Sequence, residues 1–167
     1  SEDLGRSDLI ATTLVNFGTV KYHLRQYDQS IERLDRAVVL CERYRLSRLN
    51  ATALTIRGGA YRQQGDFEKA LNDYQGAIAL SKTHQADEEL AFAMGMVGEL
   101  YKETGRLDAA AEAIEQSLEM SRNQTNLLTK GAGFYYLAEV RAKQKDYEAA
   151  MADYMKSNAV FTQIRYR

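Results

Sequence analysis

The feature that most constrains this chain is a period of 40 residues. When the sequence is shifted against itself by 40 positions, it aligns in columns without any insertion. One column of small residues is Gly18, Gly58, Gly98 and Ala138, and one of large apolar residues is Leu14, Leu54, Met94 and Phe134. Because periods of this length belong to arrays of one recurring supersecondary unit, the sequence predicts four copies of such a unit.

Each copy is predicted to be a helical hairpin. Proline is absent from the 167 residues, which permits long helices. Gly65 and Gly105 separate two stretches of helical periodicity, where the end of a helix needs a left-handed residue. An acidic column follows each turn, and negative charge there would be stabilised by the dipole of a second helix. This column consists of Asp28, Glu68, Asp108 and Glu148.

The pattern also predicts helix boundaries. First helices are expected at 8–24, 48–63, 88–103 and 128–143, and second helices at 28–45, 67–83, 107–123 and 147–164. The four repeats then cover 8–46, 47–86, 87–126 and 127–167 of a single domain at 1–167. Small columns, such as those that begin at Gly18 and Ser30, should mark where paired helices touch.

The central copies resemble the tetratricopeptide repeat (TPR). The positions that carry the resemblance are Gly58, Tyr61, Gly65, Asp66, Phe67, Ala70, Tyr74 and Ala77 in the second copy, and Gly98, Tyr101, Gly105, Leu107, Ala110 and Ile114 in the third. The usual period is about 34 residues, and the signature Pro and Trp are missing here. The longer period resembles that of LGN/Pins polarity adaptors, kinesin light chains, MalT-type regulators and Rap-type response-regulator inhibitors. The resemblance implies an all-α fold, a right-handed α-solenoid of four TPR-like hairpins with about eight helices.

The outer copies depart from the pattern. Arg25 and Lys145 stand where the central copies have the turn glycine. Phe161, Ile164 and Tyr166 continue the apolar pattern near the C-terminus without a polar capping helix. We therefore expect the chain to be a fragment of a larger protein, or its last repeat to be covered by a second molecule through self-association.

The resemblance implies that the first helices line a concave groove for a peptide or a partner domain. Residues beside the small column and off the apolar stripe are expected to face this groove. They are Thr12, Val15, Thr19 and Tyr22, then Thr52, Thr55, Arg62 and Gln63, then Phe92, Glu99 and Lys102, and finally Tyr135, Glu139 and Lys143. Their polar and aromatic character suits a bound extended or helical peptide. The alternative is that many of them are simply solvated or support a neighbouring repeat.

A carboxylate clamp of the kind found in chaperone-binding TPR domains is not expected. Asn16 stands at a suitable position, but Ile56, Met96 and Tyr136 follow it in its column and cannot continue such a clamp.

No catalytic, metal or cofactor site is predicted. His23, His84 and Cys41 do not have the spacing of a zinc site. The pair Gly58 and Gly59 lies inside a predicted helix without the preceding strand that a phosphate-binding loop requires. We therefore do not expect an enzyme or a bound cofactor.

Charge and cysteine content narrow the partners. The net charge of −1 provides no basic field for nucleic acid. No apolar run approaches the roughly 20 residues of a membrane span. The single cysteine favours a cytoplasmic location. Residues 87–126 hold nine acidic and three basic residues, and residues 127–167 hold four and seven, which indicates solvated faces or else a surface that steers a basic partner or self-association.

Two functions therefore remain open. The first is a protein-interaction scaffold. The second is a regulatory or sensor segment of a larger signalling or transcription-regulating protein that responds to a peptide or small ligand. A purely structural array that stacks end to end is a third interpretation.

Overall fold

The computed structural model describes residues 2–122 and 127–165, with side chains from residue 5 onwards. Within these ranges the chain forms helices and turns and contains no strand. The helices are α1 (Glu2–His23), α2 (Tyr27–Tyr44), α3 (Ser47–Gln63), α4 (Phe67–Thr83), α5 (Asp87–Glu103), α6 (Leu107–Met120), α7 (Leu127–Lys143) and α8 (Tyr147–Arg165). The all-α hairpin fold is confirmed.

Two predicted boundaries were wrong. Helix α1 begins at Glu2 rather than at residue 8, because no proline or turn sequence interrupts the residues before the apolar pattern starts. Helix α6 ends at Met120, short of the predicted residue 123, which lies outside the described residues. The Ser121 hydroxyl donates a hydrogen bond of 2.8 Å to the Ser117 carbonyl oxygen, which satisfies one of the last carbonyls of that helix.

The turn between the two helices of each hairpin has one conformation in all four copies. The Gly65 N–H donates to the Arg62 carbonyl oxygen at 3.0 Å, and the Asp66 N–H donates to the Tyr61 carbonyl oxygen at 3.0 Å, which is a Schellman pattern. Arg25 and Lys145 adopt the same left-handed backbone, with φ of 57° and 67°. A residue with a side chain pays about 1–2 kcal/mol for that conformation, so the hairpin geometry imposes it where the sequence lacks glycine.

Small residues mark the contacts inside each hairpin, as predicted. A Cβ added to Gly58 would lie 2.7 Å from the ring of Tyr74, and one added to Gly18 would lie 2.6 Å from Leu34 Cγ. The Ser30 hydroxyl donates to the Gly18 carbonyl oxygen at 2.8 Å. These close approaches explain why the Gly18 and Ser30 columns stay small.

The chain divides into two compact units between Glu89 and Leu90, in the first turn of α5. In the first unit, α1 packs on α2 and α3, and α3 packs on α2 and α4. In the second unit, α7 packs on α6 and α8, around a core that includes Ile114, Leu137 and Val140. The single domain at 1–167 stays a prediction.

Candidate partner-binding site

All the predicted groove residues lie on first helices, but their exposure differs. Gln63, Phe92, Tyr135 and Lys143 are exposed. The half-buried members are Thr12, Thr19, Tyr22, Thr52, Lys102 and Glu139. The buried members are Val15, Thr55, Arg62 and Glu99.

Val15 and Thr55 offer no surface to a partner. They are 3% and 1% exposed, and the Thr55 hydroxyl donates to the Ala51 carbonyl oxygen at 2.8 Å within its own helix. Each lies three residues before a small-column glycine, Gly18 or Gly58, and positions three apart share a helix face. They belong to the packing of the first unit, so we remove them from the candidate site.

In the second unit an ion pair joins the first helices α5 and α7. The Lys102 ammonium lies 2.6 Å from Glu139 Oε2 and 2.7 Å from Glu99 Oε1, and its side chain is 11% exposed. Burial lowers the pKa of Lys102, but its hydrogen bonds to Glu139 and Glu99 outweigh that effect and leave the pKa above its ordinary value. The lysine is therefore charged and internally neutralised, and it holds two first helices in register.

Aromatic rings adjoin this ion pair. The Tyr135 hydroxyl donates to Glu139 Oε1 at 3.4 Å, and the Tyr135 ring lies edge-on to Tyr136 and Tyr154 at centroid distances of 5.9 Å and 5.7 Å. The negative charge of Glu139 raises the pKa of Tyr135, with desolvation adding to it. Tyr135 is therefore a neutral phenol that is still 43% exposed. We call the set Glu99, Lys102, Tyr135, Tyr136 and Glu139 the α5–α7 cluster.

The first unit has a smoother first-helix face. The ring of Tyr22 on α1 covers Gly59 on α3, where an added Cβ would lie 3.3 Å from it. The hydroxyls of Thr19 and Thr52 donate to carbonyl oxygens four residues earlier, at 2.8 Å and 3.2 Å. Because these hydroxyls are satisfied within their helices, this face presents mainly the aromatic surface of Tyr22.

Sequence reasoning missed two arginine bridges between repeats. In the first unit, Arg57 donates to both oxygens of Asp73 at 2.8 Å and 2.7 Å and to Asp35 at 2.8 Å. Burial lowers the pKa of Arg57, but the hydrogen bonds to these carboxylates hold it above its ordinary value. The bridge ties α2, α3 and α4 together, so it is structural rather than a binding element.

The second unit repeats this bridge around Arg141. Its guanidinium binds Glu115 at 2.8 Å and also Asp153. The carboxylates are 80 residues apart from their counterparts in the first unit, as two periods require, but the arginines are 84 apart. This shift of one helical turn removes the arginine from its column, which is why alignment by the period did not find it.

Two family models described as tetratricopeptide repeat match the chain. One matches residues 9–83 and again 49–123, and the other matches residues 96–157. The chain belongs to the tetratricopeptide repeat family. The TPR resemblance read from the central copies is thereby confirmed.

Known TPR relatives are distant and longer than this chain. A secreted RxLR effector protein of Plasmopara halstedii is 24% identical over 164 residues, which is 93% of this chain and 50% of that protein. An RxLR effector protein of Phytophthora infestans is 26% identical over 136 residues, or 77% of this chain and 39% of that protein. The chain thus spans half or less of the curated relatives it matches.

A solved structure shows the same fold. A Rap protein complexed with Competence and Sporulation Factor superposes with a TM-score of 0.85 at 19% identity, over 98% of this chain and 46% of that one.

The chemistry of a metal site or a membrane span is not seen in the part of the chain that the structure describes. No group of three or more His, Cys, Asp or Glu residues there could hold a metal ion. None of the helices described is long and apolar enough to span a bilayer.

Cys41 is a packed thiol. Its side chain is buried, and burial, with the nearby charges of Asp8 and Glu42, raises the pKa of Cys41 to about 11. We expect the native thiol to react with a disulfide reagent near pH 8 at least about 100-fold more slowly than the same thiol in the urea-unfolded chain, because only the thiolate attacks. The rate of labelling measures this, with Cys41→Ser as the blank. Equal native and unfolded rates would show that Cys41 is accessible and ionised.

Proposed function

We propose that this TPR scaffold binds a segment of another protein on the exposed face of its first helices, with the α5–α7 cluster as the principal contact. The supporting observation is the exposed ring of Tyr135 beside the neutralised Lys102–Glu139 pair. TPR arrays as a class are protein-interaction scaffolds. The exact face and the occupant are our proposal.

The charges of the cluster indicate what kind of segment would fit. Lys102 is surrounded by two carboxylates, so it offers no free cation to an acidic peptide. Tyr135 and Phe92 are 43% and 36% exposed, and partly exposed aromatic rings provide large contact areas at a small cost in conformational entropy. An apolar or aromatic anchor, with a donor that reaches the partly exposed carboxylate of Glu139, is the complementary chemistry.

Peptides selected from a random library against the wild-type chain provide the test. Tyr135→Ala is expected to weaken their binding by at least about 10-fold, since truncated aromatic anchors at interfaces often cost 2 kcal/mol or more. Tyr147→Ala is the matched control, because Tyr147 is an equally large ring, 68% exposed, on the second helix α8. Dissociation constants from fluorescence anisotropy measure both, with circular dichroism to verify helix content. Peptides that bind the two variants equally well would place the binding surface elsewhere.

The compartment and the regulatory role are further proposals. We propose a reducing, cytoplasmic site of action, supported by the single buried thiol of Cys41. One curated relative is named a secreted protein, and detection of this chain outside its cell of origin would contradict the proposal. A sensor role would need an output element that responds to a ligand on the same face, and it stays a prediction.

A further inference from the structure

The outer side of α1 carries an apolar face. Phe17, Val20 and Leu24 are 58%, 52% and 60% exposed, and their spacing of three and four residues places them on one side of the helix. The corresponding positions in other copies are buried. Val97 and Leu137, which share the column of Phe17, are 7% and 3% exposed.

Those positions are buried elsewhere because the preceding second helix lies on them. In the second unit α6 packs on α7, so tightly that a Cβ on Gly133 would lie 2.7 Å from Leu118 Cδ2. In the first unit α2 packs on α3 in the same way. By register, therefore, the outer face of α1 is a surface that accepts the second helix of a hairpin.

The outer side of α8 is the opposite half of such a contact. Met151 and Met155 are 62% and 67% exposed and lie four residues apart. The column of Met151 contains Ile31, which is half-buried. The column of Met155 contains Asp35 and Glu115, the two residues that reach across to an arginine on the next first helix.

The two outer faces are altered in a matched way. Where Asp35 meets Arg57 inside the first unit, the equivalent positions are Met155 on α8 and Phe17 on α1. If only one side had lost its charge, a contact in this register would bury an unpaired ion, which is strongly unfavourable. Both sides have become apolar, and a methionine sulfur packs well against an aromatic ring.

A second contact of the internal junctions is not kept. Asp28 accepts a hydrogen bond from Gln64 at 2.7 Å, whereas Glu148 and Leu24 stand at the equivalent outer positions. Such a contact would therefore rest on its apolar centre, with Glu148 solvated at the rim. Repeat arrays that end in solvent need polar outer faces, and these two faces are not polar.

We propose that α8 of one copy of this chain packs on the outer face of α1 of a second copy, head to tail, so that the 40-residue repeat continues from one molecule into the next. The occupant of each face is thus a second copy of the chain. This interaction is independent of the proposed peptide site, because it uses neither the α5–α7 cluster nor any other residue retained in that site.

Two charge substitutions test the head-to-tail contact. The wild-type chain should exceed its monomer mass of 18.9 kDa as concentration rises in sedimentation equilibrium. Phe17→Glu and Met155→Glu should each weaken association by at least about 100-fold, because each buries a charge against an apolar face. Leu128→Glu is the matched control, since Leu128 is 63% exposed on α7 and belongs to neither face. It should associate as the wild type does.

Mixing the two variants distinguishes this contact from a symmetric one. The Phe17→Glu chain retains an intact α8 face, and the Met155→Glu chain retains an intact α1 face. An equimolar mixture should therefore form a dimer of one chain of each kind and nothing larger. A mixture that stays monomeric, or association that only one of the variants abolishes, would overturn the head-to-tail arrangement. A wild-type chain that is monomeric at its highest soluble concentration would show that the faces belong to another occupant.

Discussion

Replacing Arg57 with methionine is expected to lower the free energy of unfolding of the first unit by about 3 kcal/mol or more. The Asp73 side chain is 4% exposed and receives two guanidinium hydrogen bonds, at 2.8 Å and 2.7 Å. Without Arg57 this carboxylate would be buried and unpaired. Because methionine has a long unbranched side chain that can fill much of the vacated space, the loss reports the missing charge pairing more than a cavity.

Urea unfolding followed by circular dichroism measures the loss, and hydrogen exchange in α3 and α4 assigns it to the first unit. Asp35→Asn is the matched control. It removes the other carboxylate of the bridge, but Asp35 is 52% exposed, and exposed ion pairs contribute about 1 kcal/mol or less. Adding Asp73→Asn to Arg57→Met should recover part of the stability, because the buried charge is then gone. Equally small losses for Arg57→Met and Asp35→Asn would show that the bridge is solvated.

The hairpin itself could be predicted from the sequence because its decisive contacts recur with the period. Gly18 against Leu34 and Gly58 against Tyr74 are contacts 16 residues apart within one hairpin, so each pair of columns predicts the other. The turn was predictable for the same reason. Arg25 shows the limit of residue identity, since it takes the left-handed backbone that its side chain disfavours.

The arginine bridges could not be predicted by the same method. An arginine side chain is long enough to reach one carboxylate from two positions a helical turn apart, so Arg57 and Arg141 occupy different columns while they bind carboxylates in the same ones. The period locates the acids and hides the bases.

The candidate site was predictable as a set of helices but not as a set of accessible atoms. Which first-helix residues face a partner depends on how far each helix is rotated. A small rotation separates Val15, which is buried, from Thr12 and Thr19, which are half-buried. The pairing of Lys102 with Glu139 joins residues 37 apart in sequence, three short of the period, so it also falls outside the columns.

Replacing Gly98 with alanine is expected to destabilise the second unit by about 1–3 kcal/mol, even though alanine favours helix by about 1 kcal/mol over glycine. The added Cβ would lie 3.0 Å from Ile114 Cδ1, closer still to Ile114 Cγ1, and 3.2 Å from the Ala110 carbonyl oxygen. Ile114 is fully buried, so it has no solvent side to move into. The two helices of the hairpin would have to separate.

Gly95 on the same helix provides the matched control for Gly98. A Cβ at Gly95 would be 3.5 Å from the Ser117 hydroxyl oxygen, an ordinary contact, so Gly95→Ala should be neutral or stabilise the unit by up to about 1 kcal/mol. Ile114→Ala should lower stability by itself, but it removes the atoms that meet the new methyl group. In that background Gly98→Ala should cost little, and the coupling energy of the double-mutant cycle isolates the clash. If Gly98→Ala and Gly95→Ala shift the urea midpoint equally, the small column reflects something other than the close approach of α5 and α6.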